Sequence, residues 1–106
     1  MADIGGCVSL TPTPSANAEL AIPISAQTIA ATWTAGENET ITLTGTQKTG
    51  QRLFLLIGND AVIRTITLRT GFVAVGAIVG TALKTSVLVF ISNGTGFYEC
   101  SRTLGI

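Results

Sequence analysis

Residues 53–57 read LFLLI and residues 87–91 read VLVFI, and these two stretches decide the fold of the chain. Successive side chains of a strand point to opposite faces, so both faces of each stretch are apolar. A strand that borders one core needs only one apolar face. The second face of each strand is therefore covered either by another part of the chain or by another subunit, and the subunit is the interpretation that we favour.

The rest of the chain carries signals of further short strands. Residues 39–44 read ETITLT and alternate between polar and apolar side chains, and Asn93-Gly94 predicts a tight hairpin. Pro23 lies inside an apolar run and predicts an edge strand, because proline cannot donate a ladder hydrogen bond. The 17 threonines favour strands over helices. The pattern predicts an all-β fold, a jelly-roll-like antiparallel β-sandwich of about seven or eight strands.

The beginning of the chain predicts a separate element. Residues 11–14 read TPTP, which is extended and cannot be helical. We expect an extended N-terminal arm over residues 1–16 and the β-sandwich domain over residues 17–106. Ile4, Val8 and Leu10 are apolar points on the arm, and we expect them to dock on a partner surface.

Composition narrows the classes of partner. Charged residues make up only 11% of the chain against 46% hydrophobic residues, which predicts a surface that other protein covers. The formal net charge is zero, so no nucleic-acid partner is expected. No run of 18 apolar residues and no signal-peptide pattern occurs, so we expect no membrane partner and synthesis in a host cytoplasm.

The sequence offers little for catalysis. Histidine is absent and the acidic residues are scattered, so we predict no enzyme activity, no catalytic residue, no cofactor and no metal. Cys7 and Cys100 stand at opposite ends of the chain and are expected to be reduced thiols. Trp33 and Tyr98 could form a thin platform for sugar rings, which makes a carbohydrate-binding module one alternative.

Two segments carry a resemblance to a known group of proteins. Residues 50–54 read GQRLF and residues 92–99 read SNGTGFYE, each beside an apolar or alternating strand. From Glu39 to Thr103 the chain resembles a β-module of tailed-phage fibre, tail and head-decoration proteins. It departs from that pattern at Asn93, where aspartate is common, and at Phe97, where an Asn-Trp pair is frequent.

The resemblance implies a trimeric virion component made of copies of this chain. A small module with an apolar arm is similar to capsid decoration (cement) proteins, which bind the major capsid protein on the phage head surface and stabilise the shell. A tail-fibre or receptor-binding head domain is the alternative. The two strands with apolar side chains on both faces are expected to form the subunit interface, through Phe54, Leu56, Leu88 and Phe90.

Overall fold

The computed structural model describes residues 7–13, 18–24, 26–74 and 76–106. These segments contain strands and no helix, which confirms the predicted all-β class. In chain order the strands are β1 (Cys7–Leu10), β2 (Glu19–Pro23), β3 (Thr28–Ala35), β4 (Glu39–Thr44), β5 (Arg52–Asn59), β6 (Thr65–Leu68), β7 (Phe72–Val73), β8 (Ile78–Val79), β9 (Thr85–Ser92) and β10 (Phe97–Thr103).

The strands form two sheets. The six-stranded sheet has the order β1-β3-β5-β9-β10-β7, and the four-stranded sheet has the order β2-β4-β6-β8. Strand β2, which contains Pro23, lies at an edge of the smaller sheet, as proline predicts. The apolar core lies between the sheets.

The chain winds as a β-solenoid over its first six strands. It alternates between the sheets, and β1, β3 and β5 pair in parallel, as do β2, β4 and β6. The predicted jelly-roll is therefore wrong, because that fold is built from antiparallel neighbours. Alternating hydrophobicity identifies a strand and its buried face, but it is the same whichever way the neighbouring strand runs.

The remaining pairings are antiparallel, except that β7 runs parallel to β10 at the edge of the six-stranded sheet. Strand β9 pairs with β5, β10 with β9, and β8 with β6. The predicted Asn93-Gly94 hairpin joins β9 to β10, and Gly94 has a φ of 100°. The Asn93 Oδ1 accepts hydrogen bonds from the Thr95 and Gly96 backbone N–H groups at 3.0 Å each, which closes the turn.

The predicted N-terminal arm is in part a strand of the body. Residues 7–10 form β1, which pairs with β3 in the six-stranded sheet. Val8 and Leu10 pack against the core of their own chain, so their side chains belong to the fold of one chain and are not placed to dock on a partner. A boundary at residue 16 therefore does not separate arm from body, and Ile4 lies outside the described residues.

Cys7 and Cys100 lie on strands too far apart to be bridged within one chain. Strands β3, β5 and β9 separate β1 from β10. Neighbouring strands are about 4.8 Å apart, which puts the two backbones roughly 19 Å from each other. A disulfide requires Cα atoms within about 7 Å.

A β-bulge lets two residues of β10 form an ion pair beside the core. The register of β10 against β9 shifts between Glu99 and Ser101, so one extra residue enters the strand. Glu99 and Arg102 would otherwise point to opposite faces. The Arg102 Nε and Nη2 donate to the Glu99 carboxylate at 2.9 and 2.8 Å. The guanidinium also donates to the carbonyls of Ala77 and Gly76, so it ties β10 to the connection between the sheets.

Candidate assembly surface

The outward side of the six-stranded sheet is apolar along its two central strands. Strands β5 and β9 pair in an antiparallel register that places Phe54 opposite Val89 and Leu56 opposite Val87. The residues next to them along each strand, such as Leu55 and Leu88, point into the core. The outward side chains are therefore fixed by the same register that fills the core.

Two shorter strands extend this surface. Tyr98 of β10 lies opposite Ile91 of β9 and opposite Val73 of β7. Leu56 is 36% exposed, Ile91 43% and Tyr98 45%. We call this surface the apolar face and define it by its seven side chains, which are Phe54, Leu56, Val73, Val87, Val89, Ile91 and Tyr98.

The apolar face carries almost no charge. Arg52, which lies opposite Ile91, is the one charged outward residue on β5 and β9, and it stands at the end of its strand. The outward side of the four-stranded sheet is different, because threonines such as Thr40, Thr42 and Thr67 occupy it. Hydroxyl groups remain hydrated at little cost, whereas a continuous apolar surface favours a protein partner.

The structure divides the four predicted interface residues. Phe54 and Leu56 lie on the apolar face, but Leu88 and Phe90 are 0% exposed in the core. Placing Leu88 and Phe90 on a common outer face with Phe54 and Leu56 was therefore wrong, because Leu53 is paired with Phe90 and Leu55 with Leu88.

Sequence reasoning missed the outward residues of β9, which are Val87, Val89 and Ile91. They were assigned to the opposite face because the sequence does not tell which of two apolar faces enters the core. One available signal was side-chain shape. All three are β-branched, which suits a half-exposed pleated surface, whereas the core positions hold the larger Leu88 and Phe90.

The sheet edges limit other modes of assembly. Strands β7 and β8 have two residues each, and Pro23 interrupts the donor row of β2. Short edge strands and proline oppose pairing with a strand of another chain. At three of the four edges, association through the face of the sheet is therefore favoured over edge pairing.

The aromatic platform expected of a sugar-binding module is not assembled. Trp33 is buried on the core side of β3, and Tyr98 is exposed on the outward side of β10. The Trp33 indole donates a hydrogen bond to Glu39 Oε1 at 2.8 Å. The two aromatic side chains therefore lie on opposite sides of the six-stranded sheet.

Glu39 is a buried acid at the start of β4. Its Oε1 accepts the Trp33 bond, and its Oε2 has no hydrogen-bond partner within the described part of the chain. Burial raises the pKa of Glu39, and nearby Glu37 adds to this, whereas the Trp33 bond and the charge of Arg64 oppose it. The net effect is a pKa above the ordinary value of 4.5.

This raised pKa predicts that stability falls as Glu39 ionises. An acid whose pKa is higher in the folded than in the unfolded state stabilises the fold fully below the unfolded pKa, and this contribution is lost as pH rises through the folded pKa. We expect Glu39→Gln to abolish this pH-dependent part of the free energy of unfolding. Urea titrations followed by Trp33 fluorescence between pH 4 and pH 8 would measure it. A difference in unfolding free energy between Glu39→Gln and wild type that is independent of pH would contradict the assignment.

The described segments show no constellation for other chemistry. They contain no group of three or more His, Cys, Asp or Glu side chains able to hold a metal ion. Across the same segments, no helix is long and apolar enough to cross a bilayer. Comparisons with protein-family models, curated proteins and solved structures found no match, so the apolar face is the feature on which a functional interpretation rests.

Proposed function

We propose that the chain is a structural module that assembles into a homotrimer through its apolar face and serves on a phage particle as a capsid decoration protein. The observation that carries the proposal is the contrast between the two outward surfaces. The six-stranded sheet presents the apolar face on β5, β9, β10 and β7, beside the outward threonines of β3, whereas the two central strands of the four-stranded sheet present threonines. Such a module works by burying surface, and no catalytic step enters its role.

Burial of the apolar face would favour assembly. A strand of eight residues is about 26 Å long and four neighbouring strands span about 19 Å, which gives at most about 500 Å² per copy. Three copies would together bury about 1,500 Å², which is about 500 Å² for each of the three pairwise contacts and less than the roughly 1,200–2,000 Å² of a standard two-partner interface. At about 25 cal/mol per Å², each copy gains at most about 12 kcal/mol before the cost of association, and further contacts between neighbouring copies would add to this.

Trimer geometry also fits the length of the strands. Three sheets that face a common axis, with strands perpendicular to it, enclose a triangle whose sides are about 26 Å long and lie about 7–8 Å from the axis. That distance holds one layer of large side chains from each sheet. Phe54, Leu56 and Val89 would fill this layer, and Arg52 at the start of β5 would lie at a corner of the triangle.

The phage assignment rests on the resemblance of residues 92–99, and the departure at Asn93 is compatible with it. The turn uses Asn93 Oδ1 as an acceptor for Thr95 and Gly96. An aspartate carboxylate would accept the same bonds, so the departure from the common phage pattern leaves the turn chemistry intact. On the head, the partner of the trimer is the major capsid protein, and repeated attachment over the shell adds avidity.

A tail-fibre or receptor-binding head domain is the second candidate, and the solenoid winding favours it. Parallel coils stack along one axis and build elongated particles. The two roles differ in what the trimer binds. Purified phage shells should retain a decoration protein through sedimentation, whereas host cells should retain a fibre domain.

Trimer formation through the apolar face is tested by Leu56→Glu. The substitution places a charge in the middle of the interface, so we expect a folded monomer by circular dichroism and sedimentation velocity. Thr67→Glu is the matched control, because Thr67 is an exposed strand residue on the four-stranded sheet. It should remain a trimer. A monomeric wild-type chain at micromolar concentration, or a trimeric Leu56→Glu chain, would refute the proposal.

A further inference from the structure

Four exposed aliphatic side chains cluster at the end of the molecule where β5 ends and β9 begins. Backbone bonds join three segments there: the Leu83 N–H donates to the Asp60 carbonyl at 2.9 Å, and Thr85 and Ile106 bond to each other at 3.0 and 2.8 Å. We call the cluster the loop tip. Its members, each 55–76% exposed, are Val62, Ile63, Leu83 and Ile106.

Leu83 is held in a conformation that leucine avoids. Its φ is 60°, in the left-handed region, where a side chain with a Cβ is unfavourable. Glycine or asparagine would adopt the same turn at lower cost. The side chain is 76% exposed, so it adds little to the core. Strain kept at an exposed apolar residue points to a role outside the fold of one chain.

A recess lies at the opposite end of the strands, where β3 and β5 begin. Its volume is about 390 Å³, and its walls include Ile24, Ala26, Thr44, Gly45, Thr46 and Gln51. Gln51 is buried and fixes the walls, because its Nε2 donates to the Ile24 and Ala26 carbonyls at 3.1 and 3.0 Å. Its Oε1 accepts from the Lys48 N–H at 2.6 Å. The recess is therefore already formed in a single chain.

We propose that Leu83 of one copy inserts into the recess of the next copy and closes the trimer as a ring. This inference rests on the trimer proposed above. A cyclic trimer needs two unlike surfaces on every subunit, since each copy meets its neighbours head to tail. The loop tip and the recess are such a pair. In the triangle of sheets, the strand end of one copy meets the strand start of the next, which brings Leu83 towards Thr46.

Two variants and their combination test the contact as a double-mutant cycle. Leu83→Asn removes the apolar side chain and suits the turn, and Thr46→Arg places a long charged side chain in the recess. The trimer of each single variant should need at least tenfold more protein than the wild-type trimer to stay assembled. The double variant should need no more protein than the weaker single variant, because both substitutions remove the same contact.

The control and the outcomes separate this contact from trimer formation itself. Val79→Asn, at an exposed aliphatic residue of the four-stranded sheet, should leave the trimer as stable as wild type. If wild type is a trimer and both variants match it, the tip contact is overturned and the proposed function stands. Additive losses in the double variant also overturn the contact, because they would show that Leu83 and Thr46 act independently. A monomeric wild-type chain overturns the proposed function.

Discussion

Leu88→Asp is expected to leave the chain unfolded. Leu88 is 0% exposed between the sheets, and a carboxylate there would be buried without a partner. Losing the leucine from the core and burying the charge together remove roughly 5 kcal/mol or more. The whole stability of a domain is about 5–15 kcal/mol. Circular dichroism of the purified chain should show the loss of strand signal.

The adjacent residue provides the matched control. Val89 lies one position further along β9 and on the apolar face, so Val89→Asp should fold and fail to assemble. The pair tests the strand register directly, because a shift by one residue would exchange the two results. A folded Leu88→Asp chain would show that the core is not where the sheets place it.

Arg102→Ala is expected to lower the free energy of unfolding by about 2–3 kcal/mol, because it removes the guanidinium that donates two hydrogen bonds to the Glu99 carboxylate. The side chains of Arg102 and Glu99 are only 18% and 8% exposed. The substitution also removes the bonds to the carbonyls of Gly76 and Ala77. Urea unfolding of the purified chain would measure the loss.

Arg69→Ala is the comparison for that measurement. Arg69 also bonds to a carboxylate, that of Glu19, at 2.8 Å, but the two side chains are 55% and 41% exposed. Exposed ion pairs contribute about 0–1 kcal/mol. A loss for Arg102→Ala that is also only about 0–1 kcal/mol would show that the connection between the sheets does not depend on Arg102.

Most strands could be predicted from the sequence, but their pairing could not. Alternation in residues 39–44 and the Asn93-Gly94 turn depend on local geometry, and both predictions were confirmed. Whether β3 runs parallel or antiparallel to β5 depends on the path of the chain through the other sheet. No local pattern records that path, so the sandwich was assigned the commoner antiparallel order.

The existence of an outward apolar surface could be predicted from the sequence, but two of its four predicted residues were assigned wrongly. Two apolar faces on residues 53–57 and 87–91 indicated that some apolar side chains would stay outside the core. Phe54 and Leu56 are among them. Deciding whether Val89 or Phe90 points outward required the register of β9 against β5. That register determines which residues of the two strands share a face of the sheet. The loop tip was also missed, because Leu83 is brought beside Asp60, and Ile106 beside Thr85, only by the folded chain.

The solenoid winding also determines the order in which the chain can be completed during synthesis. Parallel neighbours in the solenoid are 21–27 residues apart in sequence, and such non-local pairing makes folding slow. Strand β5 cannot be covered on its second edge until β9 has left the ribosome. A nascent chain that ends near residue 80 therefore exposes an unpaired apolar strand edge to other nascent chains. We expect chains truncated before β9 to aggregate, and the full-length chain to need its last 20 or so residues before it becomes soluble.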